Sequence, residues 1–243
     1  MADENAFQGL ENALQHLETL LDKFDGRHGT DGIVQAAAAA TDAIEQVVCF
    51  MPGTRIAVPG GFKDVETLER GDQVLTSGGD AKPISWIGRQ TVSRVFADPL
   101  RVLPIRIAAG ALAENVPSRD LLVSSDHGIL VGGVLVQAGA LVNGTSIRRE
   151  ADVPETFTYH HVELDDHSLI LAENTPAETF IDSVDRQQFD NWDEHQALYP
   201  DGKLVMEMDY PRTQSCRQVP NAVRGILAAR ERATSAHRVT PAA

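Results

Sequence analysis

A cysteine at position 49 is the residue of this sequence with the clearest chemical potential. It stands in the order Val48-Cys49-Phe50-Met51-Pro52-Gly53-Thr54, where an alanine-rich leader gives way to a segment of short β-type runs. A thiol on the first residue of a domain can attack the carbonyl of the peptide bond just before it. The sequence therefore predicts chemistry on the chain's own backbone, at the Val48–Cys49 bond, provided that other residues supply an acid and a base.

Ser124 and His127 form the second group of candidate residues. The run Ser124-Ser125-Asp126-His127 follows a predicted strand, whose end fixes a polar side chain and lets it project into a cleft. Breaking an amide by attack of a thiol requires protonation of the leaving nitrogen, and imidazole titrates in a suitable range. A Ser-x-x-His turn alone more often reflects local hydrogen bonding, but in a chain with Cys49 it favours His127 as the proton donor.

Histidines cluster again in the segment Tyr159-His160-His161-Val162-Glu163-Leu164-Asp165-Asp166-His167. Three imidazoles this close can bind a metal. Neighbouring residues of a strand point to opposite faces, however, so His160 and His161 cannot easily serve one ion. No Cys-x-x-Cys or His-Glu-x-x-His pattern is present either. We therefore predict no metal and no cofactor, and interpret His167 as a turn residue that closes a hairpin.

Composition limits the classes of partner. The chain has 243 residues, 42% of them hydrophobic, and a formal net charge of -14. Nucleic acids and anionic membrane surfaces need clustered Lys and Arg, so neither is an expected partner.

Two distant cysteines give no disulfide framework. No run reaches the roughly 20 apolar residues of a membrane span, and the acidic start is not a classical signal. We expect a cytoplasmic protein, or one exported without a signal peptide.

Three segments are predicted along the chain. Residues 1–47 are a helical leader, with apolar residues at three- and four-residue spacing and a run of five alanines from residue 36 to residue 40. Residues 48–182 alternate short β-type runs with glycine-containing turns, which predicts an all-β domain. Residues 183–243 are a C-terminal extension that contains a basic helix near 219–233. A protein partner is expected, if anywhere, on the leader or on that helix.

Two stretches of the β-rich segment share one pattern. Residues 54–72 and 128–144 each read as strand, Gly-Gly turn, strand, short helical turn and polar turn. This echo predicts a duplicated hairpin unit with pseudo-two-fold symmetry. The predicted fold class is mainly β, with two related halves preceded by a short helical hairpin and followed by a partly helical tail.

Seven stretches of the chain, taken in order, carry a family resemblance. They are Cys49-Phe50-x-Pro52-Gly53-Thr54-x-Ile56, Val65-x-x-Leu68-x-x-Gly71-Asp72-x-Val74-Leu75, Pro104-Ile105-Arg106-Ile107-x-Ala109-Gly110-Ala111-Leu112, Asp120-Leu121-x-Val123-Ser124-x-x-His127, Leu141-Val142-Asn143-Gly144, Tyr159-x-His161-Val162-x-Leu164-x-x-His167, and Ala172-Glu173-x-x-x-x-Glu178-x-Phe180. This series resembles the Hint family, the module shared by Hedgehog C-terminal domains and inteins, and above all its bacterial type 2 branch. The resemblance covers about residues 48–182.

The resemblance implies both a fold and a reaction. The fold is a compact all-β domain of two intertwined halves, and the reaction is an N-to-S acyl shift at the bond before the first residue. The implied roles are Cys49 as nucleophile and His127 as the histidine that distorts and protonates the scissile amide. Ser124 takes the place usually held by threonine, and His161 falls near an aspartate of many inteins. The substrate is then the N-terminal flank, and water or a small thiol or amine resolves the thioester.

One departure from the family narrows the expected reaction. Splicing inteins end with His-Asn before a downstream nucleophile, and residues 173–180 contain no His-Asn. N-terminal cleavage without full splicing is therefore expected. No sterol-recognition segment is recognised in the sequence, so the resemblance does not imply cholesterol transfer. Two alternatives stay open. One is a degenerate Hint module that acts as a scaffold or interaction domain. The other is a cysteine hydrolase acting in trans, which the place of Cys49 at the domain start disfavours.

Overall fold

Short β-strands make up most of the regular secondary structure in the computed structural model, which describes residues 48–95, 97–179 and 186–239. The predicted helical leader lies outside these residues. The strands are β1 (Arg55–Val58), β2 (Gly61–Asp64), β3 (Gln73–Leu75), β4 (Ala81–Pro83), β5 (Trp86–Ser93), β6 (Ile105–Ile107), β7 (Leu121–Val123), β8 (Gly128–Val131), β9 (Val134–Gln137), β10 (Ile147–Arg149), β11 (Thr156–Glu163), β12 (Leu169–Ala172), β13 (Thr175–Glu178) and β14 (Arg212–Thr213). The α-helices in the described part are α1 (Pro99–Val102), α2 (Trp192–Leu198) and α3 (Asn221–Val239). Short 3₁₀ turns lie at Val65–Thr67, Ala138–Leu141 and Arg186–Gln188.

The largest sheet has seven strands in the order β14-β9-β8-β13-β12-β1-β2. Its neighbouring strands are antiparallel, except that β14 runs parallel to β9. A three-stranded group, β10-β6-β7, and the long pair β11-β5 lie beside each other. Phe50 connects these two groups, because it bridges Val123 of β7 and His160 of β11. The segment that carries Cys49 is thus held between two strands.

The predicted duplication is present in the backbone. Strands β1 and β2 form a hairpin closed at Gly60, and the 3₁₀ turn at Val65–Thr67 follows it. Strands β8 and β9 form a second hairpin closed at Gly132 and Gly133, and the turn at Ala138–Leu141 follows. These three glycines have φ between 58° and 87°, in the left-handed region that favours glycine. The mainly β, pseudo-symmetric fold class is confirmed.

Two apolar clusters form the core. The larger one consists of aliphatic side chains from several strands, such as Ile56, Ile105, Leu121 and Ile129. The smaller one contains Cys49 together with the residues Met51, Trp86, Val92, Val102, Leu103, Val153, Phe157, Tyr159 and Phe189. Cys49 therefore lies against an aromatic-rich region rather than in the main core.

Two segments of the C-terminal extension pack on the β domain. Helix α3 buries Val223 and Leu227 against the larger cluster, where Gly132 leaves room for its side chains. Ahead of it, β14 adds a short edge strand to the seven-stranded sheet. The basic helix predicted near residues 219–233 is therefore present, with an apolar side that contacts the core.

None of the helices in the described residues combines the length and the apolar character needed to cross a bilayer.

Candidate active site around the Val48–Cys49 bond

Three chain segments bring polar side chains together around Cys49. Cys49 directly precedes Phe50, whose N–H donates to the His160 carbonyl at 2.8 Å and whose own carbonyl accepts from the His160 N–H at 2.9 Å. Ser124 follows the last residue of β7, and His127 ends the turn that leads into β8. His161 lies within β11, one residue beyond the partner of Phe50. The strand pairing therefore fixes these side chains around Cys49.

On the nitrogen side of the bond, Ser124 is the contacting residue. The Cys49 N–H donates to Ser124 Oγ at 3.0 Å. The Ser124 N–H donates back to the Cys49 carbonyl oxygen at 2.9 Å, and His127 Nδ1 lies 3.0 Å from the same oxygen. Because a carbonyl oxygen only accepts, His127 Nδ1 carries a hydrogen. Ser124 and His127 together fix the backbone of Cys49.

On the acyl side of the bond, His161 is the contacting residue. Its Nδ1 makes a short hydrogen bond to the carbonyl oxygen of Val48 and lies 4.0 Å from the Cys49 sulfur. The carbonyl only accepts, so this nitrogen also carries a hydrogen. The arrangement places an N–H donor where negative charge develops when a nucleophile adds to the Val48 carbonyl.

Burial decides the protonation states at the site. The Cys49 side chain is fully buried, and this burial raises the pKa of its thiol well above the ordinary value. Burial also lowers the pKa of His127 to about 4, although the Glu178 carboxylate and the Cys49 carbonyl act in the opposite direction. At neutral pH the thiol therefore keeps its proton and the His127 imidazole is neutral.

An aromatic side chain from the extension covers His161. The Phe189 ring centroid lies 5.3 Å from that of His161 and 5.2 Å from that of Trp86, and Phe189 is buried. Gly88 has no Cβ, and one there would lie 2.7 Å from the Phe189 ring. A closed apolar cover of this kind excludes water and strengthens the electrostatic interactions beneath it.

Of the four side chains predicted from the sequence, Ser124 and His161 contact the Val48–Cys49 peptide unit, Cys49 is its second residue, and His127 contacts the carbonyl of the next peptide unit. Their contacts differ from the roles that the resemblance implies. His127 contacts the carbonyl oxygen of Cys49, and Ser124 is the side chain on the Cys49 nitrogen. His161 donates to the acyl oxygen.

The interpretation of His167 as the residue that closes a hairpin is wrong. It lies between β11 and β12, which belong to different sheets. Its ring is buried, Nδ1 accepts from the Met208 N–H at 3.0 Å, and Nε2 lies 3.4 Å from Glu178 Oε2. His167 thus links the extension to a buried carboxylate near His127.

Glu178, Arg212 and Phe189 belong to the site region and were not identified from the sequence. Glu178 lies in the last motif of the resemblance, where its spacing from Glu173 was the one available signal. Arg212 and Phe189 follow the last of those motifs, so no pattern connected them with Cys49. Across the described residues, no group of three or more His, Cys, Asp or Glu side chains is arranged to hold a metal ion.

A thiol, a hydroxyl and two imidazoles gathered around Cys49, within a duplicated β fold, are features of a self-processing class of domain. The chain belongs to the Hint domain family, whose model matches residues 48–184, more than half of the sequence. No match was found among curated proteins.

Solved intein structures are similar to part of the chain. A bacterial intein-like domain from Clostridium thermocellum is 17% identical, with 56% of this chain and 100% of that domain covered and a TM-score of 0.42. The MchDnaB-1 intein is 13% identical, with 54% and 99% covered and a TM-score of 0.39. A DnaB intein from Synechocystis is 10% identical, with 55% and 99% covered and a TM-score of 0.37. The family assignment rests on the family model, not on these low scores.

Proposed function

We propose that this protein carries out an autocatalytic N-to-S acyl shift at the Val48–Cys49 bond, which produces a thioester and ends in N-terminal cleavage. One observation supports the proposal above all. His161 contacts the acyl oxygen, Ser124 contacts the leaving nitrogen, and the Cys49 sulfur lies 4.0 Å from His161 Nδ1. The nucleophile and two polarising groups thus converge on one bond.

The proposed step balances without a co-reactant. The Cys49 sulfur forms a bond to the Val48 carbonyl carbon, and the bond from that carbon to the Cys49 nitrogen breaks. The sulfur loses its proton and the nitrogen gains one, so the products are a thioester and a free amine. Negative charge builds on the Val48 oxygen in between, where the His161 N–H donor is already in place.

Ser124 and His127 are the proposed proton carriers. Ser124 Oγ accepts from the Cys49 N–H in the resting state, and the same hydroxyl can donate once the nitrogen becomes pyramidal in the tetrahedral intermediate. A pKa of about 4 makes the His127 imidazolium a strong acid, suited to a weakly basic amide nitrogen. It also means that the imidazolium is rare at neutral pH, which limits the rate.

The proposed product division follows the predicted segments. Cleavage separates residues 1–48, the acyl fragment, from residues 49–243. The second product holds the rest of the processing domain predicted over residues 48–182 and the extension of residues 183–243. Water or a small thiol or amine resolves the thioester, and the missing His-Asn in residues 173–180 limits the reaction to this half of splicing. A free thiol nucleophile favours a reducing compartment such as the cytoplasm.

The test is an intact-mass measurement on the purified full-length protein, incubated with hydroxylamine or dithiothreitol at several pH values. The expected result is a fragment that begins at Cys49. Cys49→Ala should stay full length. Cys216→Ala is the matched control, because this exposed thiol is not part of the site, and it should cleave like the wild type. A wild-type chain that stays full length under every nucleophile and pH would overturn the proposal.

The second candidate function is a scaffold or interaction module without turnover. Complete burial of the Cys49 thiol favours it, because a raised pKa lowers the thiolate fraction. The same burial argues against a hydrolase acting in trans, since an external substrate cannot reach the sulfur in this conformation. An uncleaved wild type with native folding is the result expected of the scaffold.

A further inference from the structure

Glu178 is a buried carboxylate beside the proposed site. It ends β13 with only 2% of its surface exposed, and a buried charge is costly unless it is paired. Its Oε1 accepts from the Gly128 N–H at 2.8 Å. Its Oε2 accepts from Arg212 Nη2 at 2.7 Å and lies 3.4 Å from His167 Nε2. Three groups from three segments therefore converge on this one side chain.

These partners keep Glu178 ionised. Burial raises the pKa of this carboxyl. His167, Arg212 and His127 together lower the pKa by more than burial raises it, so the pKa lies below its ordinary value. The Met208 N–H donates to His167 Nδ1, so a neutral His167 ring carries its hydrogen on Nε2, the atom that faces the carboxylate. Glu178 is therefore a fixed negative charge at neutral pH.

The carboxylate lies against the turn that carries His127. Gly128 directly follows His127, and a Cβ on Gly128 would lie 2.3 Å from Glu178 Oε1. The His127 ring is itself fully buried and held on the Cys49 carbonyl. The negative charge of Glu178 favours the protonated form of His127, in opposition to burial.

We propose that Glu178 is a positioning residue of the acyl shift: it fixes the His127 turn through Gly128 and stabilises the His127 imidazolium while the proton moves to the leaving nitrogen. This inference rests on the proposed function. Arg212, which fixes Glu178, lies beyond residue 184, where the family match ends. A residue of the extension therefore helps to complete the site.

Glu173 provides a matched control. It lies at the opposite end of the β12–β13 hairpin, is fully buried, and is paired with two arginines, Arg55 at 2.9 Å and Arg119 at 2.7 Å. Glu173→Gln and Glu178→Gln remove the same kind of buried, arginine-paired charge. Glu178 alone of the two bonds the turn next to His127.

The kinetic test compares full-length wild type, Glu178→Gln and Glu173→Gln in hydroxylamine at neutral pH, with rates from intact mass and thermal midpoints measured in parallel. We expect Glu178→Gln to cleave about tenfold slower than Glu173→Gln, less than the roughly 10²-fold loss of a general acid itself, because Glu178 acts through His127. Equal rates in the two variants, or a wild-type rate in Glu178→Gln, overturn the inference alone. An uncleaved wild type overturns the proposed function and this inference with it.

A spectroscopic readout separates positioning from stability. In the unreactive Cys49→Ala background, ¹⁵N-histidine NMR follows the titration of His127. The titratable neighbour of His127 in this background is Glu178, which is itself contacted by His167 and Arg212. Glu178→Gln should lower the His127 midpoint, and Glu173→Gln should not. An unchanged midpoint in Glu178→Gln contradicts the inference.

A second matched pair covers the case in which Glu178→Gln does not fold. Arg212 and Arg119 are partly exposed partners of Glu178 and Glu173. We expect Arg212→Gln to slow cleavage about threefold, because Glu178 loses one of the hydrogen bonds that fix it against the His127 turn. Arg119→Gln should cleave like the wild type, and equal slowing in both variants would overturn the inference.

Discussion

His161 donates a hydrogen bond to the carbonyl oxygen of Val48, on the acyl side of the bond that the proposed reaction breaks. The donor comes from the middle of β11, a strand of eight residues paired along its length with β5. Such a donor does not need to move when charge develops on the oxygen, and fixed donors of this kind contribute large rate effects.

His161→Phe removes this donor but keeps a ring in the cluster. We expect the cleavage rate in hydroxylamine to fall about 10²- to 10³-fold, as for other oxyanion donors, with intact mass as the measurement. His160→Phe is the matched control, since His160 is the buried neighbour on the other face of β11. Similar losses in the two variants would show that only strand packing matters.

Ser124→Ala removes the oxygen that contacts the Cys49 nitrogen. We expect it to slow cleavage by about 10²-fold, because the leaving nitrogen loses its adjacent proton carrier. Ser124→Thr keeps the hydroxyl and should retain most of the rate, and Ser125→Ala serves as the neighbouring control. A Ser124→Ala variant as fast as Ser125→Ala would exclude a role for this hydroxyl in the chemistry.

Phe189→Ala should open the cover over His161 and Cys49. In a Cys216→Ala background, we expect faster alkylation of Cys49 by iodoacetamide under native conditions, read out by peptide mass. The variant should also lose about 3 kcal/mol of stability from the cavity. Phe62→Ala is the control, because Phe62 is 45% exposed on β2. Unchanged alkylation at a temperature well below the unfolding midpoint would contradict the cover.

The buried His127 makes stability depend on pH. Its folded pKa of about 4 lies below its unfolded value near 6.5. Between these values the unfolded chain binds more protons, so stability is full above about pH 6.5 and falls as the pH drops toward 4. In the Cys49→Ala background, urea midpoints should fall more steeply over this window than in the same protein with His127→Gln. Parallel curves would exclude a neutral buried His127.

Gly128→Ala should be strongly destabilising. The added Cβ would overlap Glu178 Oε1, and overpacking of this kind costs about 1–3 kcal/mol. Gly225→Ala in α3 is a matched substitution with nothing within 4 Å of its Cβ, and it should stabilise by about 0.5–1 kcal/mol. Urea unfolding measures both, and a neutral Gly128→Ala would contradict the close approach.

Much of the β domain could be predicted from the sequence because its signals are local. The β1–β2 and β8–β9 hairpins follow from apolar runs around glycine turns. Strand β13 has weak local signals, since Thr175–Glu178 contains Pro176 and the charged Glu178, yet it lies inside the seven-stranded sheet. Pairing with β12 and β8 outweighed its weak strand propensity.

Helix α1 is a second element that is difficult to predict from the sequence, in this case because it is short. Residues 99–107 are mostly apolar, but β6 begins only at Ile105, after a helical turn at Pro99–Val102. The signal for that turn was present, because Asp98 accepts from the Leu100 N–H and Pro99 occupies the first helical position. A cap is easy to overlook when the turn that it starts has only four residues.

Some residues of the candidate site could be predicted from the sequence and others could not. Cys49, Ser124, His127 and His161 were found because each lies in a short motif whose residue types indicate its chemistry. The Glu178–Arg212 pair joins residues 34 positions apart. Glu178 lies in a motif of the resemblance but nothing local marks Arg212, so only the folded chain brings the two together.

The backbone pairing of Phe50 decides what is left after cleavage. Its hydrogen bonds to His160 lie entirely on the product side of Val48. Val48, the one described residue of the acyl fragment, belongs to no strand, so its loss removes no strand of the described sheets. The shortened chain would start with an amine and a thiol on one residue, anchored in an intact domain, so the protein would survive its own reaction as a folded product while the bond that it consumed could not be used again.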